Sequence, residues 1–301
     1  MHRFFNPATY AMWLWFLLPM GTARLAADTG FQSLRMGADA RTGSMAMSGT
    51  AMAYGSAALF WNPAGLALRQ GGSASFSWQQ WFQDVQAGAV GFAWTGDRRG
   101  VGLHILYAGA DGIEHRIVPS SEPIGTFSWN EFAAGVSYAE RYGRLIWGAT
   151  LKLLYQKLFV EDAWGAAVDL GVLYQIKENG LRIGAAVVNT GRMQELKEES
   201  SPLPSAAKVG AALPFVFFGL PWEAALDGVL EKGEPFHLQG GLECGLFRRL
   251  FLRSGYQTRF DNRGFAFGMG MAWNRSRLDY GFQPFRSGLG DSHRFTLSID
   301  L

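Results

Sequence analysis

The chain has 301 residues and a formal net charge of +2, with 17% charged residues against roughly 25% in an average soluble protein. This balance excludes a strongly basic nucleic-acid-binding surface, and the single cysteine excludes an intrachain disulfide and a cysteine metal cluster. Aromatic residues at 14%, together with 39 glycines, instead favour many short strands in a closed sheet.

The N-terminus has the layout of a secretory signal peptide. Arg3 precedes an apolar core over residues 11–20, and small residues follow up to Ala27. We therefore predict a signal peptide over residues 1–27. A membrane anchor is the alternative, but the apolar run is about half of the ~20 residues that a spanning helix needs.

The next segment, residues 28–70, does not read as a strand. Residues 45–58 are rich in Ala, Gly, Ser and Met, and Asn62-Pro63 is a turn signal because proline fixes φ and removes an amide donor. We expect a helical or irregular segment that ends at Pro63 and leads into a sheet.

From about residue 73 onward, polar and apolar residues alternate as they do in strands with two different faces. Aromatic residues often begin and end the apolar face, as expected for girdles at two membrane interfaces. Polar stretches at 110–128 and 190–205 are predicted to be loops. The predicted strands, about fourteen by the turn signals, are 72–82, 84–95, 100–109, 127–140, 143–158, 160–176, 180–189, 206–217, 221–231, 234–246, 248–260, 263–274, 276–284 and 291–301.

An even number of strands with lengths near 9–11 residues is typical of a transmembrane antiparallel β-barrel. Alternation alone does not tell which face is inside, so a soluble periplasmic β-protein is the alternative; the aromatic ends and the signal peptide favour the barrel. About fourteen strands enclose more space than wall side chains fill. We therefore predict an all-β fold, with residues 71–301 as the barrel and residues 28–70 as an N-terminal hatch, or plug. Gly268 and Gly270 are expected to make room for the hatch or to allow a kink in the wall.

Sequence motifs stand near both ends of the chain. The N-terminal motifs are residues 34–41 (LRMGADAR) with Met45 and Ala46, and residues 58–66 (ALFWNPAGL). The C-terminal motifs are residues 278–284 (LDYGFQP), Leu289-Gly290 and Ser292-His293-Arg294. Together they resemble the PorV/PorQ group of outer-membrane proteins, within the FadL-like barrels. Residues 44–47 lack the glycine that usually follows the methionine, and Gly281 stands where alanine is common. The middle of the chain resembles this group only in its general barrel pattern.

The resemblance implies a bacterial outer-membrane location after signal cleavage, with insertion by the barrel-assembly machinery. It implies one of two functions. The first is transport of hydrophobic or amphipathic molecules across the outer membrane. The second is a type IX secretion-associated or scaffold barrel that binds a protein through its loops. The expected partners are outer-membrane lipid and either a hydrophobic small-molecule ligand or a secretion-system protein.

Three groups of candidate residues follow from these patterns. The hatch or gate motif could gate the barrel by flexing near Gly65, or could only form the turn before the first strand; it comprises Arg41, Trp61, Asn62, Pro63, Ala64 and Gly65. Polar residues predicted to face the lumen could form a pathway, hold the hatch, or neutralise each other along the wall; they are Lys152, Asp169, Arg182, Glu223, Asp227, Arg253, Arg277 and Asp279. The closing motif is Asp279, Tyr280, His293 and Arg294.

No catalytic or metal site is predicted. His104 and His237 could face each other across the lumen, but no carboxylate or cysteine stands at ligand spacing, so hydrogen-bonded histidines are the simpler interpretation. Asp169 and Asp227 have no partner that would make an acid–base pair. We expect neither an enzyme nor a cofactor.

Overall fold

The computed structural model describes residues 30–81, 84–116, 123–195, 202–259, 263–285 and 290–301. The predicted signal peptide over residues 1–27 lies outside these residues. The central parts of the two predicted loops and Leu289 of the C-terminal motif lie outside them as well.

Fourteen antiparallel strands form a closed barrel in which each strand pairs with its neighbours in sequence and the last pairs with the first. This confirms the predicted transmembrane β-barrel and its strand number. The strands are β1 (Gly71–Gln80), β2 (Gln86–Thr95), β3 (Arg99–His115), β4 (Gly125–Tyr142), β5 (Leu145–Leu158), β6 (Glu161–Gln175), β7 (Arg182–Met193), β8 (Ala206–Phe217), β9 (Leu220–Glu231), β10 (His237–Leu246), β11 (Leu250–Gln257), β12 (Phe265–Trp273), β13 (Ser276–Pro284) and β14 (Asp291–Asp300).

The alternating pattern places apolar side chains outside the barrel and small or polar ones inside. On β5, Leu151 and Leu153 are 63% and 54% exposed, whereas Lys152 between them is 5% exposed. A soluble protein has the opposite arrangement, with leucine buried and lysine in water. The outer surface therefore suits lipid, and the polar face lines the lumen.

The two ends of the barrel differ. The chain enters β1 and leaves β14 at one end, where hairpins such as β4–β5 and β8–β9 have turns as short as residues 143–144 and 218–219. Most connections at the opposite end are longer and include residues 194–205, although the β5–β6 turn there has only residues 159–160. We call these the short-turn end and the long-loop end. In bacterial outer-membrane barrels the short turns are periplasmic.

Aromatic side chains lie on the outer surface of the barrel near both of its ends. Near the long-loop end, a row of four rings crosses β3 to β6, with neighbouring centroids 4.8, 6.4 and 4.8 Å apart; they are Tyr107, Phe132, Tyr155 and Trp164. Near the short-turn end, the rings of Tyr138 and Trp147 lie 5.7 Å apart. Aromatic rings in these positions are typical of the two membrane–water interfaces.

The flanks of both predicted loops are strand, which corrects the sequence interpretation. The β3–β4 ladder continues past a bulge between Ala110 and Ile113 and ends at the pair His115–Gly125, and β7 continues to Met193. Polar side chains such as that of Glu114 are exposed on this projecting hairpin. Polar composition therefore did not distinguish a strand beyond the lipid from a loop.

The hatch lies inside the barrel. It contains α1 (Ser33–Met36), α2 (Ala40–Ser44) and α3 (Ala58–Trp61), with two 3-10 segments, Gly55–Ala57 and Pro63–Leu68. The predicted end of this segment at Pro63 is wrong: α3 ends at Trp61, and Pro63 begins the second 3-10 segment, so the hatch continues to Leu68. Among the described residues, no helix is long and apolar enough to cross a membrane.

The wall makes room for the hatch with inward-facing glycines on successive strands. A Cβ atom built on Gly241 would lie 2.4 Å from the Cβ of Met45, and one on Gly268 would lie 2.4 Å from that of Ser44. The hatch backbone therefore touches the wall backbone directly. We call this set the glycine girdle: Gly148, Gly171, Gly184, Gly210, Gly241, Gly255, Gly268 and Gly281. Gly270, in contrast, makes room for the side chains of Arg253 and Asp279.

Candidate functional site: the hatch and the barrel lumen

The hatch is tied to the wall by a cluster of charged side chains near the short-turn end. Arg41 in α2 donates to Glu243 on β10 through Nε at 2.9 Å and Nη2 at 2.8 Å, and to Glu223 on β9 at 2.6 Å. Arg41 thus joins two strands to the hatch. We call the cluster the latch; its seven residues are Arg41, Arg182, Glu223, Glu243, Arg253, Arg277 and Asp279.

The wall residues of the latch also pair with each other. Arg253 contacts Glu243 at 2.5 Å and Asp279 at 2.8 Å, and Arg277 contacts the same two carboxylates at 2.9 Å each. Arg182 pairs with Glu223. Because each carboxylate meets two or three guanidinium groups, the charges are compensated although most of them are buried.

Arg41 remains charged in this environment. Burial by itself would lower the pKa of Arg41, but the carboxylates of Glu243 and Glu223 outweigh that effect and hold the pKa above its ordinary value. Arg182 adds a second tie, since its Nε donates to the carbonyl of Ala51 in the hatch at 3.1 Å. The sequence placed Arg41 in the hatch motif, and the structure joins it to the lumen-facing group.

Trp61 holds the hatch in its folded form. Its indole Nε1 donates to Asp39 at 2.6 Å, and the other carboxylate oxygen of Asp39 accepts from the backbone N–H of Thr42 at 2.8 Å. Asp39 is therefore the N-cap of α2 and also the acceptor for Trp61. The ammonium of Lys208 on β8 lies 5.3 Å from the Trp61 ring, a cation–π distance.

Asn62 is a structural link between hatch and wall. Its Nδ2 donates to the carbonyl of Thr50 at 2.8 Å and to that of Val172 on β6 at 3.2 Å, while its Oδ1 accepts from Ala64 at 3.1 Å. Gly65 has no left-handed backbone conformation, and a Cβ there would lie 2.3 Å from the carbonyl oxygen of Ala53. Gly65 therefore provides space and shows no strain of the kind expected from a hinge.

The remaining lumen-facing residues lie nearer the long-loop end. Lys152 pairs with Asp169 at 2.6 Å and donates to Asn189 at 2.7 Å. Asp227 accepts from the backbone N–H of Thr50 at 2.8 Å, so it holds the hatch. Of these wall residues, Lys152 and Asp169 pair with each other, whereas Asp227 binds the hatch.

The closing motif divides between the two faces of the wall. Arg294 faces the lumen, where it donates to the carbonyl of Met36 in the hatch at 3.0 Å and to Gln79 at 2.7 Å. Tyr280 and His293 share a 2.9 Å hydrogen bond on the opposite face, beside Phe295. Asp279 belongs to the latch.

A chamber of about 60 Å³ separates the hatch from the wall towards the long-loop end. The hatch side includes the rings of Phe60 and Trp61, and the wall side includes Val188, Val229 and Lys208. A cavity of about 150 Å³ is needed to take up benzene, so the chamber in this conformation is too small for a hydrocarbon ring.

His104 and His237 both line this chamber. His237 is hydrogen-bonded as expected, but Nδ1 of His104 has no hydrogen-bond partner among the described residues. The His104 ring packs against Phe60 with centroids 5.0 Å apart, and His237 Nε2 lies 3.2 Å from the amide of Gln239. Within the described part of the chain, no group of three or more His, Cys, Asp or Glu side chains could hold a metal ion.

Two residues that hold the hatch were not singled out from the sequence. Glu131 on β4 accepts from the backbone N–H groups of Gln32 at 3.1 Å and Ser33 at 2.8 Å. Asp39 caps α2, a role that its position three residues before Thr42 could have indicated. The sequence did not single out Glu131, because many strands of this chain carry a carboxylate among the small residues of their inward face.

No family model and no curated protein matches the sequence. Solved structures do match the fold. The CymD monoaromatic hydrocarbon channel is 14% identical, with a TM-score of 0.62 over 88% of this chain and 96% of that one. The P. putida toluene transporter TodX is 12% identical, with a TM-score of 0.59 over 86% and 98%. A TodX deltaS2S3 mutant reaches 0.64 at 13% identity over 88% and 99%. The chain therefore has the fold of the FadL-like outer-membrane barrels.

Proposed function

We propose that this protein transports hydrophobic or amphipathic molecules across the bacterial outer membrane, with the hatch as its gate. The observation that carries the proposal is the chamber, which has aromatic residues of the hatch on one side and a mixed set of apolar and polar wall residues on the other, as suits an amphipathic molecule. Glu231 and His237, from the long-loop end, are part of its lining, so the chamber extends towards that end.

The chamber is the closed form of the pathway. At about 60 Å³ it must widen to take a hydrocarbon ring, and only the hatch can move without breaking strand pairing. The hatch is held by ion pairs and hydrogen bonds, which can open and reform. The likeness to channels named for monoaromatic hydrocarbons and toluene supports this substrate class.

Chamber volume is the variable to test. Ala206 lines the chamber on β8, and Ala207 beside it faces outward. We expect Ala206→Phe to reduce uptake of radiolabelled toluene and of a labelled fatty acid by cells that lack the native protein. Ala207→Phe should leave uptake unchanged, and Val229→Ala should raise it. Equal uptake by all variants and by cells without the protein would refute transport.

A scaffold function is the second candidate, and the latch favours it. Arg41 of the hatch is held by Glu223 and Glu243 within a network of seven charged residues, as suits a permanently plugged barrel. The sequence resemblance to the PorV/PorQ group supports a type IX secretion-associated form, in which loops at the long-loop end bind a secreted protein. In either case we infer signal cleavage after Ala27 and insertion by the barrel-assembly machinery.

The two functions predict different partners. Purification from the native outer membrane in mild detergent, followed by mass spectrometry, should recover a bound apolar molecule and no protein if the barrel transports. A stoichiometric protein partner with no small-molecule ligand would support the scaffold function instead. A source genome without type IX secretion components would refute the secretion form.

A further inference from the structure

Two neighbouring turns at the short-turn end carry fully exposed phenylalanines. Phe218 in the β8–β9 turn is 88% exposed, and Phe247 in the β10–β11 turn is 86% exposed. Within the lipid-facing belt, Phe215 and Trp94 are 37% and 53% exposed. Among the described residues, the one aromatic ring in contact with Phe218 is that of its neighbour Phe217, with centroids 4.3 Å apart. Neither turn phenylalanine contributes to a core cluster.

The backbone at these positions disfavours phenylalanine. Phe218 and Phe247 both have φ of 50°, in the left-handed region that bulky residues rarely adopt and that hairpin turns usually fill with Asn or Gly. Asn179 and Asn274 occupy the same region in two other turns at this end. The turns would therefore form more easily without the phenyl groups. We infer that these phenyl groups contact something other than this chain.

The lipid-facing belt continues to these turns without a polar break. On β8 and β9, Phe215 and Trp222 stack at 6.3 Å on the outer face, and Phe217 leads directly to Phe218. In the β2–β3 hairpin, by contrast, the outward aromatic Trp94 is followed by a polar turn that contains Asp97 and Arg98. Only part of the rim therefore prolongs the apolar surface.

Exposed arginines accompany the phenylalanines. Arg248 and Arg249 share the turn with Phe247, and Arg275 lies in the β12–β13 turn two strands further along the barrel. Guanidinium groups bind phosphate oxygens in a bidentate way, and an aromatic ring beside a cation is the usual composition of the membrane–water boundary.

We propose that the β8–β9 and β10–β11 turns form a lipid anchor at the short-turn end. Phe218 and Phe247 enter the acyl region just below the headgroups of the leaflet at this end, and Arg248 and Arg249 bind the phosphates of its phospholipids. The anchor sets how deeply this sector of the barrel sits. It does not depend on what the barrel carries.

Fluorescence quenching tests where the turns lie. In a Cys244→Ala background, single cysteines are introduced as Phe218→Cys, Phe247→Cys and Asn179→Cys, and each is labelled with an environment-sensitive dye. The full chain is refolded into phosphatidylethanolamine–phosphatidylglycerol vesicles with brominated acyl chains. We expect strong quenching and a blue shift at 218 and 247, and neither at 179, whose turn is polar. Equal exposure to water at all three sites would overturn the anchor.

A second measurement tests the lipid itself. Phe218→Asn with Phe247→Asn suits the left-handed backbone, so the barrel should fold. Native mass spectrometry should show fewer phosphatidylglycerol molecules retained by this variant, and by Arg248→Gln with Arg249→Gln, than by the wild type or Arg144→Gln. Unchanged lipid retention would refute the anchor, as would loss of a co-purifying protein in its place.

Discussion

Arg41 carries more of the hatch attachment than any other hatch side chain, because one guanidinium joins two strands. Its three hydrogen bonds to Glu223 and Glu243 span about 180–200 residues of sequence, a separation that only tertiary structure closes. Arg182, Arg253 and Arg277 belong to wall strands and would remain there if the hatch were displaced.

Replacing Arg41 by glutamine should loosen the hatch without unfolding the barrel. We expect a loss of about 1–3 kcal/mol in the local stability of α2, below the 3–5 kcal/mol of an isolated buried pair, because Arg182, Arg253 and Arg277 still compensate the carboxylates. Hydrogen exchange at residues 40–44 measures this loss. Arg69→Gln is the control, since Arg69 is exposed, lies over the Tyr54 ring and forms no ion pair among the described residues. Unchanged exchange in Arg41→Gln would contradict the latch.

Substitution of Trp61 tests the hydrogen bond that stabilises the hatch internally, again by hydrogen exchange. Trp61→Phe keeps an aromatic ring but removes the donor to Asp39, which leaves a buried carboxylate oxygen without that partner. We expect a cost of about 1–3 kcal/mol, measured as faster exchange of the Thr42 amide. Trp94→Phe on the outer face is the matched change and should leave that amide unaffected. If both variants exchange alike, the Asp39 bond is unimportant.

At the scale of elements, the strands and the hatch are fitted together by the glycine girdle. Each strand alternates between a lipid-facing and a lumen-facing residue, and on β5 to β8 and β10 to β13 a lumen-facing glycine lies where the hatch comes closest. Gly184 pairs with Gly210, Gly241 with Gly255, and Gly268 with Gly281, so the girdle keeps one level across neighbouring strands.

Adding one methyl group to the girdle should displace the hatch. The Cβ of Gly241→Ala would fall 2.4 Å from the Cβ of Met45, whereas the outward Cβ of Gly240→Ala meets nothing closer than 3.4 Å. Overpacking of this kind costs about 1–3 kcal/mol. The measurement is the rate of proteolysis within the hatch: faster in Gly241→Ala, unchanged in Gly240→Ala. Equal rates would show that the hatch adapts without cost.

At the scale of the whole molecule, the barrel and its hatch are separable in principle. Within the latch, three wall arginines and three wall carboxylates balance each other without Arg41, and a fourteen-stranded barrel encloses enough space to hold water. The fold is therefore a continuous wall that closes without any strand from the hatch.

Deletion of residues 30–68 should leave a folded but open barrel. We expect a rise in single-channel conductance in planar bilayers relative to the full chain, because water replaces the hatch. Heat-modifiable mobility in a detergent gel reports whether the variant has folded. A folded variant with the conductance of the full chain would mean that the wall itself closes the lumen.

Much of the barrel could be predicted because its determinants are local. Each strand must present an apolar face to lipid and a small or polar face to the lumen, so period-two alternation and turn residues marked the strands and their number. Lys152 and Asp169 on inward faces were found by the same rule. The rule failed at β3, where the hairpin leaves the lipid at Ala110 and the outer face no longer needs to be apolar.

The sequence by itself determined the closed fourteen-stranded sheet, its two faces and a segment of the right size to fill it. Tertiary structure alone decided how the hatch is held: Arg41 against Glu243, Glu131 under α1, and Met45 against Gly241. The physical reason is the range of the interactions. Alternation is enforced residue by residue by the solvent on each side of the wall, whereas hatch contacts join residues about 100–200 positions apart, whose meeting depends on the register of the whole barrel.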